Sequence, residues 1–344
     1  MDNKERIFAL SAAAGTSGRE GEAAAVATEL LRPYMDSVTQ DVSGNVVGIR
    51  TARTRGAKCI LLDAHLDEVG LIVTDHDKGF LKFTAIGVDK RILPGLEVKV
   101  CTEPLIFGVV SCLPPHILKA EDHDKPFAMD KLCIDCGLSP EEAPERVPVG
   151  TRIVYNTQPF LMGEKTVCGK SLDDRACFAI LIRTMELLKD KPLPVDVVVL
   201  GSVQEEYPGE GVGAKTGAYN MMPDEGIIVD VSFATQPDVG DDEASPLGSG
   251  AMIGVGPVMN RRMVKKLQAV AKAKDIPYTV EVMAGRTGTN ADDIQITRAG
   301  INVVCVSLPL RYMHTPIETV DLDDVEHIAQ LLAGYILAMG EETA

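Results

Sequence analysis

The side chains in this sequence that are best suited to metal binding or catalysis are two histidines and a group of carboxylates that follow apolar segments. They are His65, Asp67, Asp173, Glu205, Glu206, Asp230 and His314. Imidazole nitrogens and carboxylate oxygens form a mixed ligand set that suits zinc, cobalt or manganese, and one carboxylate can bridge two such ions. A two-ion centre activates water and stabilises the oxyanion formed from an amide carbonyl. The combination predicts hydrolase chemistry.

Each of these signals also has an ordinary structural explanation. The His-x-Asp of His65 and Asp67 is compatible with a turn histidine beside a solvated carboxylate. It is equally compatible with a metal ligand whose neighbour fixes the tautomer or orients bound water. Glu205 and Glu206 repel each other unless a cation or a proton offsets their charge, so one could bind metal while the other acts as a base. Alternatively, both are solvated in a loop.

The remaining candidates differ in how strongly their surroundings favour a ligand role. Asp173 and Asp174 open a predicted helix, where carboxylates ordinarily cap free N–H groups. The glycine in the preceding VCGKSL would nevertheless let Asp173 turn inward. Asp230 ends an apolar strand, where an unpaired carboxylate is costly, so a ligand role is favoured. His314 stands among proline turns and is ambiguous alone, and the hypothesis therefore depends on the whole set.

The elements that must position these side chains are short apolar segments. Continuous β-branched and aliphatic runs of this length are typical of strands covered on both faces, as in a largely parallel sheet. They are NVVGIR (45–50), CILLDAHLDEVG (59–70), VDVVVLGSVQEE (195–206), EGIIVDVSFA (225–234) and INVVCVSLPL (301–310). Ligands of open parallel sheets bind beyond the carboxyl ends of the strands. We therefore expect the candidate side chains to meet at one rim.

Helical patterns alternate with these strands. Apolar residues at helical spacing predict helices over 20–35, 173–190, 260–275 and 324–340. The alternation predicts an α/β fold, specifically an α/β/α sandwich with a mostly parallel sheet.

The region 75–162 has a different character. Short β-type pieces are separated by proline and glycine turns, and no long amphipathic helix occurs. We interpret it as a small β-rich domain inserted into a discontinuous catalytic domain made of 1–74 and 163–344. Because the strand before the insert ends at His65 and the segment after it delivers Asp173, the two flanks should meet in space.

The amino-acid composition argues against several classes of binding partner. The 344 residues are 45% hydrophobic, which is enough for a sizeable core, and the net charge of −16 opposes binding to nucleic acid or anionic lipid. The sequence has no basic segment followed by an apolar run near its start, and no uncharged apolar stretch of about 18 residues, so we expect a cytoplasmic protein without a membrane partner.

Eight cysteines are scattered through the long chain and are expected to be reduced. Cys133 and Cys136 form the one CxxC. A structural zinc site there would need a second ligand pair, which the neighbouring cysteines and histidines supply only at irregular spacing.

The motifs that contain the candidate residues resemble those of a known family. They are AHLDEVG (64–70), GKSLDDR (169–175), QEE (204–206), IIVDVSFA (227–234) and RYMHTPIE (311–318). In order and spacing they are similar to the motifs of the M42 metallo-aminopeptidases, which include glutamyl, deblocking and tetrahedral aminopeptidases, over nearly the whole chain. The resemblance implies an enzyme that hydrolyses the N-terminal residue from short peptides with two divalent ions per subunit, zinc or cobalt, with manganese a further option.

The resemblance also implies a role for each candidate. The implied ligands are His65 and Asp230 at one ion, Glu206 and His314 at the other, and Asp173 as the bridge. Glu205 is implied to take a proton from the water that bridges the ions, and Asp67 to support His65. The peptide bond after Asp173 is often cis in this family. The insert is implied to be a PDZ-like dimerisation domain, and the dimers to assemble into hollow tetrahedral dodecamers.

Two departures from the family pattern leave alternatives open. Asn290 stands where the family usually has an aspartate, and the loop Tyr207, Pro208, Gly209, Glu210, Gly211 is longer and more acidic than usual. A metal-dependent deacylase or amidohydrolase of small N-acyl metabolites is one alternative. The others, from different classes, are an endoglucanase and a non-catalytic peptide-binding assembly.

Overall fold

A mixed, mostly parallel sheet organises the larger part of the chain. The computed structural model describes residues 1–54, 56–119, 123–207, 209, 211–240 and 244–340. Its strands are β1 (Ser37–Gln40), β2 (Val46–Arg50), β3 (Cys59–His65), β4 (Gly70–Asp77), β5 (Phe80–Ile86), β6 (Glu97–Val100), β7 (Ile106–Ser111), β8 (Cys133–Asp135), β9 (Arg152–Tyr155), β10 (Phe160–Met162), β11 (Thr166–Gly169), β12 (Asp196–Ser202), β13 (Glu225–Phe233), β14 (Ala251–Val255), β15 (Tyr278–Val282), β16 (Asn302–Leu310) and β17 (Glu318–Asp321). Its α-helices are α1 (Asn3–Ala12), α2 (Gly21–Leu31), α3 (Glu142–Arg146), α4 (Leu172–Leu188), α5 (Val212–Met221), α6 (Arg261–Ala273), α7 (Ala291–Ile294) and α8 (Leu322–Ala338).

Within the described residues the main sheet has eight strands in the order β1-β2-β12-β3-β13-β16-β14-β15. The four central strands, β12, β3, β13 and β16, are parallel to one another, whereas β2 joins β12 and β14 joins β16 in antiparallel fashion. β13 shows why the centre is parallel, since eight of its nine residues are buried and it is covered on both faces. The predicted strands are all present, and the α/β fold is confirmed.

Helices cover both faces of this sheet. On β12, a side chain at Gly201 would collide with Phe178 of α4, whereas the neighbouring Leu200 contacts Gly217 of α5. Because consecutive strand residues point to opposite faces, α4 and α5 lie on opposite sides of the sheet. α1 and α8 pack with α4, and α7 packs with α5. The order of layers is that of the predicted α/β/α sandwich.

The insert forms a closed barrel between β3 and β11. Its strands follow the order β4-β5-β8-β7-β6-β9, and its interior is filled by a separate cluster of buried apolar residues. Closure removes the exposed strand edges that an open sheet of this size would present. A three-stranded sheet, β10-β11-β17, then leads the chain back to α4. The division into domains at the predicted boundaries stays a prediction.

The sequence patterns did not reveal several peripheral elements. β14 and β15 extend the sheet past β16, and α1, α5 and α7 were not predicted either. β15 is a half-exposed edge strand with a mixed polar pattern, so it lacks the continuous apolar run that marks the central strands. In the part of the chain that the structure describes, no helix combines the length and apolar character that crossing a membrane requires.

Candidate metal centre

The candidate side chains converge at one rim of the main sheet, at the carboxyl ends of the parallel strands. His65 is the last residue of β3, Asp173 lies in the first turn of α4, and Asp230 is within β13. Glu205 and Glu206 follow β12, and His314 follows β16. A cavity of about 960 Å³ opens between them, and its wall includes His65, Asp173, Glu205, Glu206, Asp230 and His314.

Asp173 is the most central group of this cluster. Its Oδ1 lies 3.1 Å from His65 Nε2, and its Oδ2 lies 3.4 Å from His314 Nε2. His314 Nε2 is also 3.3 Å from Glu206 Oε2. Each oxygen of one carboxylate therefore addresses a different histidine, which is the arrangement that a bridging ligand requires. The Asp173–Asp174 peptide bond is cis, as the resemblance implies.

Two groups of residues could each hold a metal ion, because within each group the ligand atoms all lie within 4.8 Å of one another. One consists of His65, Asp173 and Glu206, and the other of His65, Asp174 and Asp230. Asp174 is an addition to the predicted set. Its Oδ2 accepts the backbone N–H of His65 at 3.1 Å, while its buried Oδ1 has no hydrogen-bond partner.

Asp67 supports the site in more ways than predicted. His65 Nδ1 lies 3.1 Å from the backbone oxygen of Asp67, which leaves Nε2 facing Asp173. The Asp67 carboxylate accepts the backbone N–H groups of Glu205 and Glu206, both at 3.0 Å, and the Ser17 hydroxyl at 2.6 Å. It thus fixes the chain at both glutamates as well as the histidine, which is the outer support that metal ligands commonly receive.

The carboxylates at the rim are buried and lie close together, and both effects shift their pKa values. Burial raises the pKa of Glu205 to about 7. Burial and the neighbouring charge of Asp173 raise the pKa values of Glu206 and Asp230 well above the ordinary range. Burial also acts to raise the pKa of Asp173, but hydrogen bonds from the two histidines hold it below its usual value. The protein's own cations do not balance this charge, so the donor set fits added divalent cations.

Glu318 hydrogen-bonds to the backbone of two predicted ligands, and this role was not predicted from the sequence. Its Oε2 accepts the backbone N–H of Asp173 at 3.1 Å, and its Oε1 accepts the backbone N–H of His314 at 2.8 Å. The side chain is buried, and burial raises its pKa well above the ordinary value. Its position inside the RYMHTPIE motif was the available signal.

Glu318→Gln is expected to weaken metal binding and kcat/KM by about 10–100-fold, because an amide NH2 would face one of the two N–H donors. Metal affinity and turnover of an aminoacyl-p-nitroanilide measure the effect. The exposed Glu29→Gln, which removes the same charge from α2, is the matched control. Wild-type metal affinity in Glu318→Gln would contradict this positioning role.

A buried ion cluster behind the rim was also missed. Glu68 accepts Lys170 Nζ at 2.7 Å and Arg175 Nη2 at 3.1 Å, and all three side chains are almost fully buried. Arg175 Nε donates to the backbone oxygen of Leu66 at 2.9 Å, which ties the end of β3 to the start of α4. Burial lowers the pKa of Lys170 to about 8. The cluster therefore sets the spacing of the two elements that carry His65 and Asp173.

Backbone strain accompanies the same elements. Ser171, Gln204 and His314 have positive φ angles of 53°, 60° and 63°. Such conformations are unfavourable for residues with a Cβ and tend to persist at functional sites, where the surrounding structure enforces them. Here they redirect the chain just before Asp173 and Glu205 and at His314 itself.

The family departure at Asn290 lies behind the rim, on the α7 side of the sheet. Asn290 Nδ2 donates to Asp63 Oδ2 at 2.8 Å and to Ser202 Oγ at 2.9 Å. Burial raises the pKa of Asp63 to about 6. Asn290 is thus the neutral partner of a buried carboxylate. In the 207–211 loop, Pro208 and Glu210 lie outside the described residues, and Gly211 donates to Asp293 at 2.6 Å.

Asn290→Asp should destabilise the fold by about 1–3 kcal/mol, because it replaces the hydrogen bond to Asp63 with two facing carboxylates. The free energy of unfolding in urea measures this loss. The double variant Asp63→Asn/Asn290→Asp exchanges the two groups and is expected to recover most of the stability. A single variant as stable as the wild type would contradict the account of this pair.

The CxxC cysteines lie on the barrel, apart from the rim. Cys133 Sγ is 2.9 Å from Ser111 Oγ, and burial raises the pKa of the Cys136 thiol to about 11. Among the described residues, neither thiol belongs to a group that could hold a metal ion.

Comparisons with known proteins agree with this geometry. The sequence profile of the M42 glutamyl aminopeptidase family matches residues 44–331. The lysyl aminopeptidase of Pyrococcus furiosus is 33% identical over 310 residues, which are 88% of this chain and 87% of that protein.

Solved structures extend the similarity to the whole fold. The TET aminopeptidase of the marine sediment archaeon Thaumarchaeota archaeon SCGC AB-539-E09 superposes with a TM-score of 0.92 at 32% identity, covering 99% of this chain and 97% of that one. The TET1 peptidase of Pyrococcus horikoshii, which can assemble into a tetrahedron or a large octahedral shell, gives a TM-score of 0.84 at 28% identity, covering 98% and 99%. The resemblance found in the motifs is confirmed: the chain belongs to the M42 glutamyl aminopeptidase family and is a peptide-bond hydrolase.

Proposed function

We propose that this peptidase is a two-metal aminopeptidase that releases the N-terminal residue from short peptides. The observation that carries the proposal is the Asp173 carboxylate, whose two oxygens address His65 and His314 separately. A single carboxylate between two histidines, surrounded by further acids, supports a pair of divalent ions sharing one bridge.

The residues that would hold the ions follow from this centre. The proposed ligands are His65 and Asp230 for one ion, Glu206 and His314 for the other, and Asp173 for both. Asp174, whose buried Oδ1 has no hydrogen-bond partner, lies in the same group as His65 and Asp230 and adds a further carboxyl group on the first ion's side. Zinc or cobalt suits this nitrogen and oxygen set, and manganese is the third option.

Two bound divalent ions would polarise the peptide carbonyl and make an attacking water more acidic. Glu205 would accept the proton of that water and deliver it to the leaving amine. Its pKa of about 7 is well matched to both steps, because a base works best near the pH of reaction. The Asp67 carboxylate, by accepting the Glu205 backbone N–H, would keep this base from turning away from the cavity.

A substrate panel tests the proposed activity. Protein loaded with cobalt or zinc is expected to cleave aminoacyl-p-nitroanilides and to prefer a free α-amine over the N-acetylated analogue by about tenfold or more, since acetylation removes a charge that the acidic cavity attracts. Absence of turnover for every amino acid in a metal-loaded sample would remove the proposal. A preference for N-acyl amino acids would favour the deacylase alternative instead.

Two features of the structure argue against the deacylase and endoglucanase alternatives. Asn290, one of the two departures that suggested a deacylase, hydrogen-bonds to Asp63 and is 2% exposed. An endoglucanase would use two carboxylates free of metal, whereas Asp173 and Glu206 are engaged with histidines. Cellulose hydrolysis that survives chelation would be needed to support that alternative.

We also propose that the chain works as a homo-oligomer in which the inserted domain predicted over 75–162, which holds most of the barrel, pairs two subunits. Apolar side chains are exposed on and beside β7, including Phe107 at 59%, Val109 at 45% and Leu105 at 45%. Contiguous exposed apolar surface of this kind marks association sites. The Pyrococcus horikoshii relative can assemble into a tetrahedron or a large octahedral shell, and this supports our proposal of a dimer-based oligomer here, with a dodecamer as one form.

Phe107→Glu is expected to shift the oligomer toward the monomer, because a carboxylate would be buried in the apolar interface. Light scattering after size exclusion measures the mass, and Val42→Glu, which changes a fully exposed apolar residue outside the insert, is the control. A wild-type protein that is monomeric at micromolar concentration would contradict the oligomer proposal.

A further inference from the structure

The cavity extends past the proposed metal ligands to a wall formed by β14 and β15. This wall includes the apolar side chains of Met252, Met283 and Met313 together with Glu281 of β15. Met252 and Met283 are buried and make a flexible, polarizable surface suited to an aliphatic chain. The wall thus combines apolar side chains with the Glu281 carboxylate.

Glu281 is held in place by two hydroxyl groups. Ser232 Oγ donates to its Oε1 at 2.5 Å, and Ser307 Oγ donates to its Oε2 at 2.7 Å. Both serines are buried, at 8% and 1% exposure, whereas Glu281 itself is half-buried at the cavity wall. Donation from both sides fixes the direction of the carboxylate. Among the described residues, no lysine or arginine lies within ion-pair distance of Glu281.

The register of the sheet sets the separation between Glu281 and the metal ligands. Ser232 lies two residues beyond Asp230 on β13, so their side chains share a face with a spacing of about 6.6 Å. Ser307 is the register partner of Asp230 on β16. Because Glu281 is hydrogen-bonded to both serines, its carboxylate lies close to Asp230, at a separation set by this strand spacing. An extended lysine side chain spans on the order of 6 Å from Cα to Nζ, which matches that separation.

We infer that Glu281 determines the specificity of the enzyme and selects peptides whose N-terminal residue is lysine or arginine. The inference rests on the proposed aminopeptidase function of the same cavity. The aliphatic stem of the basic side chain lies along the methionines, and its cationic head reaches the Glu281 carboxylate. A glutamate side chain is repelled by Glu281, and a leucine side chain offers its carboxylate no charged hydrogen-bond donor.

The test compares Lys-, Arg-, Leu- and Glu-p-nitroanilide with the metal-loaded enzyme. In the wild type, kcat/KM is expected to be about tenfold or more higher for Lys and Arg than for Leu, and lowest for Glu. Glu281→Gln should reduce the Lys-to-Leu ratio by about 10–100-fold, and Glu281→Lys should raise the Glu-to-Lys ratio. Glu29→Gln on α2 is the charge-matched control and should retain the wild-type ratios.

The Leu substrate separates the two proposals. If Leu-p-nitroanilide is cleaved but Lys and Arg are not preferred, or if Glu281→Gln keeps the full Lys-to-Leu ratio, the inference about Glu281 is overturned while the aminopeptidase function stands. If the metal-loaded wild type cleaves none of the four substrates, the inference about Glu281 is overturned, and the panel of all amino acids decides whether the proposed function fails with it.

Discussion

Glu205→Gln is expected to lower kcat by about 10²–10⁴-fold, the usual contribution of a positioned general base. Glutamine has the shape of glutamate but cannot accept the proton of the attacking water. The backbone N–H of residue 205 still donates to Asp67, so the loop that also carries Glu206 should keep its position. Steady-state turnover of an aminoacyl-p-nitroanilide measures the loss.

Metal content distinguishes this role from that of a ligand. Glu205→Gln should bind as much metal as the wild type, and Glu29→Gln should match the wild type in both turnover and metal content. Turnover within a few fold of the wild type would contradict the assignment of Glu205 as the base. Loss of metal together with turnover would instead make Glu205 a ligand.

Asp173→Asn is expected to lower kcat/KM by about 10³-fold or more, because the stabilisation supplied by metal ions amounts to several kcal/mol. The amide removes the negative charge that Asp173 presents to both His65 and His314. Each oxygen of Asp173 addresses a different histidine, so its neutralisation should weaken the binding of both ions. Elemental analysis after dialysis, alongside turnover, measures the two effects.

The comparison with Asp230→Asn makes this prediction specific to a bridging ligand. Asp230 is assigned to one ion, so its variant should keep about one ion per chain, whereas Asp173→Asn should keep neither fully. The exposed Asp89→Asn is the charge-matched control. Two tightly bound ions in Asp173→Asn would contradict the bridging assignment.

The rim could be predicted from sequence because its geometry follows from the sheet. Each central strand is a largely apolar run with a candidate side chain near or just after its carboxyl end, and parallel strands present their carboxyl ends at one edge. His65 and Asp230 were thus brought together by topology alone. The roles of individual residues, such as that of Asp173 as the bridging ligand, were predicted from the resemblance to the family and not from periodicity.

Other parts of the site depend on proximity between distant segments. Glu318 and Asp173 are 145 residues apart, and Asn290 and Asp63 are 227 apart, yet each pair is hydrogen-bonded. Nothing in the local pattern of either segment indicates its partner. Glu281 is a similar case, because YTVEV (278–282) has no continuous apolar run and was not predicted as a strand, and only the packed sheet brings the Ser232 and Ser307 hydroxyls to its carboxylate.

The most direct test of the central proposal is a titration of metal-free protein with cobalt or zinc, in which bound metal and the release of the N-terminal residue from a short peptide are followed together. We expect activity to be absent after chelation and to reach its maximum at two ions per chain, with products shortened one residue at a time from the N-terminus. Full activity in the chelated protein, or two bound ions without any release of an N-terminal residue, would contradict the proposal.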